Sequence, residues 1–365
     1  MTGQGAKPNG RKPEGEMRSR VLRLAATMLA VASFSLAGMR PAAADAPLQK
    51  VTIALAGKAL AFIIQYIAIG GGFYKEEGLD PDPVDVASGT RQAAAVMGGS
   101  AEITQVGFAH TMHAVGRGGD LVGICTAFDV YPIALVLSNA AINRLGITDS
   151  MSLDEKLKRL HGVKIGITSP GSSTDEFMRT IMLVRGLDPS RDVQLEPIGI
   201  GAPMVAAMAA GATDGFAFMS PFTDMAVSRG LGQDIADPMT GKVPEYKDVP
   251  YQVITTSRAT LAEKRPLLLH VVRAMTKAMK FAHEHPEDAR KIVRTFFQDT
   301  PEAEFNTAYN TYIKALPATP IISQAQVDST VKMVNLTEKT PIKVTYDQVV
   351  YPDLAREAAK ELLGK

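Results

Sequence analysis

The chain has 365 residues, 46% of them hydrophobic, and carries 39 basic and 38 acidic side chains for a formal charge of +1. That length fits two domains of ordinary size, each with its own core, and the balanced charge speaks against a nucleic-acid partner. A single cysteine, Cys125, rules out an internal disulfide, and its apolar neighbours make it a buried structural thiol.

The N-terminus reads as an address. Arg18, Arg20 and Arg23 precede a mostly apolar stretch at 24–38, and Ala42-Ala43-Ala44 offers a small-x-small cleavage site before Asp45. The stretch is shorter than the roughly 20 residues of a membrane span. We expect a secretory signal peptide at 1–44, with Met17 as an alternative start that makes 1–16 an over-called extension. No cysteine follows the stretch to carry a lipid. Cleavage removes seven basic and two acidic side chains, leaving a slightly acidic mature chain. No later run is apolar enough to span a membrane.

In chain order, 51–56 alternates and is β-branched, as a strand should be. A dense apolar run at 60–69 stops at Gly70-Gly71-Gly72 and reads as a helix. A strand at 83–87 leads to Ser88-Gly89, which opens a helix ending at Met97. A strand at 103–107 and a helix at 108–115 complete the set. The same set returns as strands at 163–168, 193–197 and 215–219, with helices at 174–185, 203–210 and 221–229. Between the sets, 133–137 reads as a strand crossing from one lobe to the other, and 251–255 as the return. Helices are expected at 267–285, 286–297, 301–314, 323–335 and 354–363.

The two sets are a repeat. The segments 89–118 and 201–230 align without a gap, with identities at Gly89/Gly201, Ala94/Ala206, Ala95/Ala207, Gly99/Gly211, Thr111/Thr223, Ala114/Ala226, Val115/Val227, Arg117/Arg229 and Gly118/Gly230. Gly78-Leu79-Asp80-Pro81 recurs as Gly186-Leu187-Asp188-Pro189. Strands alternating with helices predict parallel sheets, so the expected fold class is α/β with two doubly wound lobes joined by a two-strand hinge. Lobe one takes 45–136 and 252–365, lobe two 137–251. Twin lobes leave a groove, and grooves at domain interfaces bind small ligands.

Ligands of open α/β sheets sit beyond the carboxyl ends of the strands. Here those ends carry small polar residues followed by helix N-termini, which offer free N–H groups and partial positive charge to an anion. Ser173 to Glu176 reads as a capping box with Ser173 as cap and Glu176 folding back. Ser88, Gly89 and Thr90 are its lobe-one counterpart, followed by Arg91 on a solvated face. Phe62, Phe108, Tyr131, Met219 and Phe222 lie near these ends and offer apolar walls. Lys58 in the first strand–helix loop is a candidate counter-ion, and Asp129 near the crossing is a candidate holder of an amine. The residues do not choose between these two.

Catalytic signals are weak. His110 and His113 sit three apart on one helix without further ligands at metal spacing, so we read them as hydrogen-bonded or exposed. There is no Gly-x-Ser-x-Gly elbow and no Walker loop. We expect no cofactor, no metal and no catalysis.

The chain resembles the solute-binding proteins of ABC importers in the nitrate, taurine and aliphatic-sulfonate group, within a superfamily shared with pyrimidine-precursor proteins of thiamine metabolism. The residues that carry this are Gly72-Phe73-Tyr74-Lys75-Glu76-Glu77-Gly78-Leu79, Gly99-Ser100-Ala101-Glu102, the stretches 160–166 and 281–289, Gly171-Ser172-Ser173 and Gly211-Ala212-Thr213-Asp214-Gly215. The resemblance implies a type II periplasmic-binding-protein fold. It implies a periplasmic monomer that closes over a small organic anion and passes it to an ABC permease and its ATPase. It also implies binding by Ser88, Gly89 and Thr90, by Gly107, Phe108 and Ala109, by Ser172 and Ser173, and at Ser220. Many relatives carry an aromatic, an acid and a proline where this chain has Met219-Ser220-Pro221, a departure that favours a less polar organic acid or sulfonate. The alternatives are a pyrimidine-precursor-binding or synthase-like protein, against which one cysteine and an export signal argue, and a sensor or scavenger.

Overall fold

A computed structural model describes residues 47–364; the expected signal peptide at 1–44 lies outside the described residues. One sheet contains β1 (Gln49–Leu55), β2 (Leu79–Asp85), β3 (Ile103–Gly107), β4 (Leu121–Phe128) and β10 (Gln252–Ser257), in the order β2-β1-β3-β10-β4. The other contains β5 (Ala134–Ser138), β6 (Val163–Ile167), β7 (Val193–Pro197), β8 (Gly215–Phe218) and β9 (Gly232–Ala236), in the order β7-β6-β8-β5-β9. The orders correspond strand for strand, so the repeat in sequence is a repeat in structure. Three pairs of aligned glycines confirm it in the backbone. Gly78 and Gly186, Gly99 and Gly211, and Gly118 and Gly230 all turn through the left-handed region, with φ between 67 and 81°.

The sheets are mixed rather than parallel, which corrects the expectation. β10 runs antiparallel to β3 and β4, and β5 runs antiparallel to β8 and β9. The reason is the route of the chain. β5 follows directly from β4 of the first sheet, and β10 comes back after β9 of the second. Each enters its new sheet from the cleft side, where the parallel strands end, and must run against them. The crossing strand expected at 133–137 is β5, which straddles the expected lobe limit at 136/137. β4 and β9 were not anticipated. Every residue of β4 is buried, and a strand covered on both faces shows no alternation to read.

Helices flank both sheets. Those that shape the cleft are α1 (Gly89–Met97), α2 (Phe108–Gly116), α3 (Ser173–Leu183) and α4 (Phe222–Ser228). The long helix after β10, α5 (Arg258–Glu284), starts earlier than expected. It breaks from helical geometry at Lys264, just before Pro266, because proline removes a donor and crowds the preceding turn. The expected C-terminal helices are α6 (Glu302–Tyr312) and the helices Gln324–Val334 and Asp353–Leu363. No helix among the described residues is long and apolar enough to cross a membrane.

Tyr312 at the end of α6 ties the crossing together. Its hydroxyl accepts the Ser220 amide at 3.1 Å and donates to the Pro132 carbonyl at 3.4 Å, and its side chain is buried. Tyr312→Phe strands both groups away from water, a cost of about 1–3 kcal/mol. Urea denaturation should read that loss as a lower midpoint with an unchanged m-value.

Candidate functional site

The carboxyl ends of both sets of parallel strands face each other. Ser88 caps α1 by accepting the Arg91 amide at 3.3 Å, and its backbone carbonyl takes the Gln92 amide at 2.9 Å. The amides of Gly89 and Thr90 therefore precede the first intrahelical bond. Opposite, the sequence after β6 turns sharply at Gly171, whose φ is 73°. This turn places the cap one residue earlier than expected. Ser172, not Ser173, has the extended cap conformation and accepts the Asp175 amide at 3.4 Å. Ser173 becomes the first helical residue, its hydroxyl free for another partner.

The capping box is absent as well. Glu176 points out to His113 at 3.2 Å instead of folding back. Asp175 takes the Gly171 amide and the Arg179 guanidinium, each at 2.8 Å.

Between these two helix starts lies a cavity of about 40 Å³. Lobe one lines it with Ala56, Ala59, Phe62, Ser88, Gly89, Gln92 and Gly107. The second sheet and its loops add Thr168, Ser172, Ser173, Thr174, Ile200, Phe218 and Met219, and the return segment adds Tyr251 and Gln252. Among the described residues, no lysine, arginine, aspartate or glutamate belongs to this lining. The lobes meet around it. Thr90 donates to the Gly171 carbonyl at 3.0 Å, the Leu60 amide donates to the Ser220 carbonyl at 3.3 Å, and Tyr131 donates to the Ser173 carbonyl at 3.4 Å.

Of the expected site residues, the structure brings Phe62, Ser88, Gly89, Gly107, Ser172, Ser173 and Met219 onto one cavity. The others lie elsewhere. Lys58 is exposed and borders a separate groove with Asp85, Gly201 and Phe222. Thr90 is exposed and outside the cavity lining, donating to the Gly171 carbonyl. Phe108 and Ala109 are core residues. Tyr131 stands one layer back, packed on Tyr246 at 4.1 Å and edge-on to Tyr251 at 5.0 Å. Ser220 turns its hydroxyl to Asp224. Arg91 is exposed. Asp129 is engaged by Thr126 and Gln326, each at 2.8 Å, so it is not an open carboxylate in the cleft.

Two glutamines escaped the sequence reading. Gln105 donates to the Gln252 carbonyl oxygen at 2.7 Å, which leaves the Gln252 amino group for the cavity. Gln92 has its amino group fixed against the Ala54 carbonyl, the Thr104 hydroxyl and the Gln105 carbonyl. Their only sequence signal is position, one turn into α1 and at the cleft end of β10.

His110 is buried and its Nε2 lies 3.1 Å from the Ser173 hydroxyl, across the lobes. Burial pushes its basicity below the ordinary histidine value, partly offset by the Glu176 carboxylate. Burial pushes the Tyr251 hydroxyl well up, so it stays neutral. The arrangement offers neutral donors and two positive helix ends to whatever enters.

Two lobes of one topology, hinged by two crossings and closing on a cavity at their strand ends, define a periplasmic-binding-type fold. A solved structure from Bordetella bronchiseptica RB50 shares it with a TM-score of 0.77 at 24% identity, covering 87% of this chain and 98% of that one. The alkanesulfonate-binding protein SsuA from Xanthomonas axonopodis pv. citri, solved bound to MOPS, matches with a TM-score of 0.65 at 15% identity over 84% and 99%. In sequence, the putative binding protein YtlA of Bacillus subtilis is 20% identical over 317 residues, 86% of this chain and 91% of that protein. The chain belongs to the NMT1-like family, whose model matches residues 45–296.

Proposed function

We propose that the protein captures a small organic anion, sulfonate- or carboxylate-like, in the interlobe cavity and delivers it to an ABC permease and its ATPase. It does so as a monomer in the periplasm, after loss of its signal peptide, and without catalysis. The observation that carries this reading is the convergence of two helix N-termini, at Gly89 and Ser173, on one cavity whose lining holds no carboxylate among the described residues. Each terminus is worth up to about 2 kcal/mol to a partly buried anion. Hydrogen bonds to a charged group add about 1.5–3 kcal/mol each. Two termini and two or three such bonds reach the roughly −8 kcal/mol of micromolar binding without a resident cation. The match to proteins described as binding proteins supports the same class.

A thermal-shift panel of small organic anions should find at least one that raises the melting temperature in a concentration-dependent way, as linkage requires. Ser88→Ala combined with Ser173→Ala should weaken that ligand by about tenfold or more while unfolding stays cooperative. A panel of sulfonates and carboxylates without any shift would remove the anion class, and unchanged affinity in the double variant would take both hydroxyls out of the site.

A further inference from the structure

The geometry points to His110 as the group that charges when the ligand enters. Binding of a fully ionised anion is accompanied by uptake of one proton on the His110 imidazole, which supplies the cation that the lining lacks. This rests on the reading that the ligand is an anion.

His110 stands where such a proton would act. Its Nε2 contacts the Ser173 hydroxyl at 3.1 Å, and an added methyl on Gly89 would fall 2.4 Å from the same nitrogen. The ring is therefore wedged between the N-terminal turns of α1 and α3. It touches the cavity through Ser173 and also borders a second groove, of about 730 Å³, lined with His113, Glu176, Arg179 and Glu338 and distinct from the one at Lys58. That groove gives a proton a path from bulk water. In the ligand-free site the imidazolium is opposed by burial and by two positive helix ends. An anion between those ends reverses the balance, because an opposite charge within a few ångströms favours the charged form.

The other groups around the ring do not take this role. His113, on the same helix, is already placed between Glu176 and Glu338, each at 3.2 Å. Glu176 on α3 is shared with His113 and raises the basicity of His110. Asp175 on the same turn is engaged by Arg179, and the Tyr251 hydroxyl is neutral.

The sign follows from linkage. The free-state value of His110 is depressed, and the bound-state value is raised. Between the two, each ligand bound takes up a proton, so affinity is highest at low pH and falls as pH rises. The slope approaches tenfold per pH unit inside the window and flattens on both sides.

The experiment is a pH-stat titration of the mature chain with methanesulfonate and with propionate in unbuffered salt, between about pH 5 and 8, the range in which histidine commonly titrates. Sulfonate and phosphate buffers are avoided because they are themselves candidate occupants. Methanesulfonate stays ionised throughout, so any proton taken up belongs to the protein. The expected result is uptake approaching one proton per methanesulfonate inside the window. His110→Gln should abolish the uptake and leave weaker, pH-independent affinity, whereas His113→Gln should retain it. Binding without proton uptake anywhere in the range overturns this inference alone, as does uptake that survives in His110→Gln. Absence of binding by both anions, together with no shift from any sulfonate or carboxylate of the thermal panel, overturns the anion reading along with it; an anion that the panel finds takes the place of methanesulfonate in the same titration. The wild-type titration decides even if His110→Gln fails to fold.

Discussion

Gly89→Ala is expected to lower ligand affinity by about 100-fold or more while the chain still unfolds cooperatively. Gly89 is the first residue of α1 and lines the cavity. A Cβ there would stand 2.4 Å from His110 Nε2 and 2.9 Å from its Cδ2, well inside contact distance. The backbone at Gly89 lies outside the left-handed region, so alanine can adopt it, and the effect is steric. His110 is 7% exposed, with Ser173 on one side and the groove on the other, so its ring can yield only away from Ser173. The ring must swing, which breaks its contact with Ser173 on the other lobe, and the new methyl fills space beside the helix amides. Overpacking costs typically about 1–3 kcal/mol, and a lost hydrogen bond with a buried partner about 1–3 kcal/mol more. The middle of that sum, about 4 kcal/mol, exceeds two decades of affinity. Calorimetry with the ligand found by thermal shift measures the change, and circular dichroism checks the fold. A loss of less than about threefold would place the ligand away from the start of α1.

What the sequence displays is what local chemistry decides. The repeated module was legible because glycines such as Gly99 and Gly211, or Gly78 and Gly186, end their elements by turning through conformations that other residues avoid. The polar strand ends were legible because serine at a helix start has a short-range use. What escaped depends on distant parts of the chain. The antiparallel sense of β5 and β10 is fixed by the side from which each enters its sheet. The place of the α3 cap is fixed by Gly171, which turns the chain one residue sooner than the capping-box pattern suggests. The orientation of Gln252 is set by Gln105, separated by 147 positions, and that of His110 by Ser173, separated by 63. Lys58 was a reasonable counter-ion on sequence because it follows a strand, yet Gly57 turns it into a neighbouring groove bordered by Asp85. The comparison with known proteins supports the family and the fold, while the choice among ionic and neutral recognition rests on this chain's own lining.

The largest loss of stability is expected at a pair of glycines that flank the crossing strand. β5 is held between β8 and β9, with Gly215 opposite Leu137 and Gly232 opposite Ser138. A Cβ on Gly232 would fall 2.1 Å from the Leu137 carbonyl oxygen, and one on Gly215 would fall 2.3 Å from the Val136 carbonyl oxygen. Both obstacles are backbone atoms already placed in the sheet, so relief requires the strands to part and their ladder bonds to lengthen. Gly232→Ala should therefore cost on the order of 3–5 kcal/mol, the range of changes that disrupt a buried network rather than trim it. For a chain of this size that lowers Tm by roughly 4–8 °C. Gly99→Ala is the control. Its φ is 71°, yet among the described residues nothing lies within 4 Å of its Cβ position, so only the left-handed backbone opposes alanine, at about 1–2 kcal/mol. Scanning calorimetry of the two variants separates close approach from conformational preference. Were Gly232→Ala no worse than Gly99→Ala, β9 would not be pressed against β5, and the first crossing strand would be held more loosely than the order β8-β5-β9 requires.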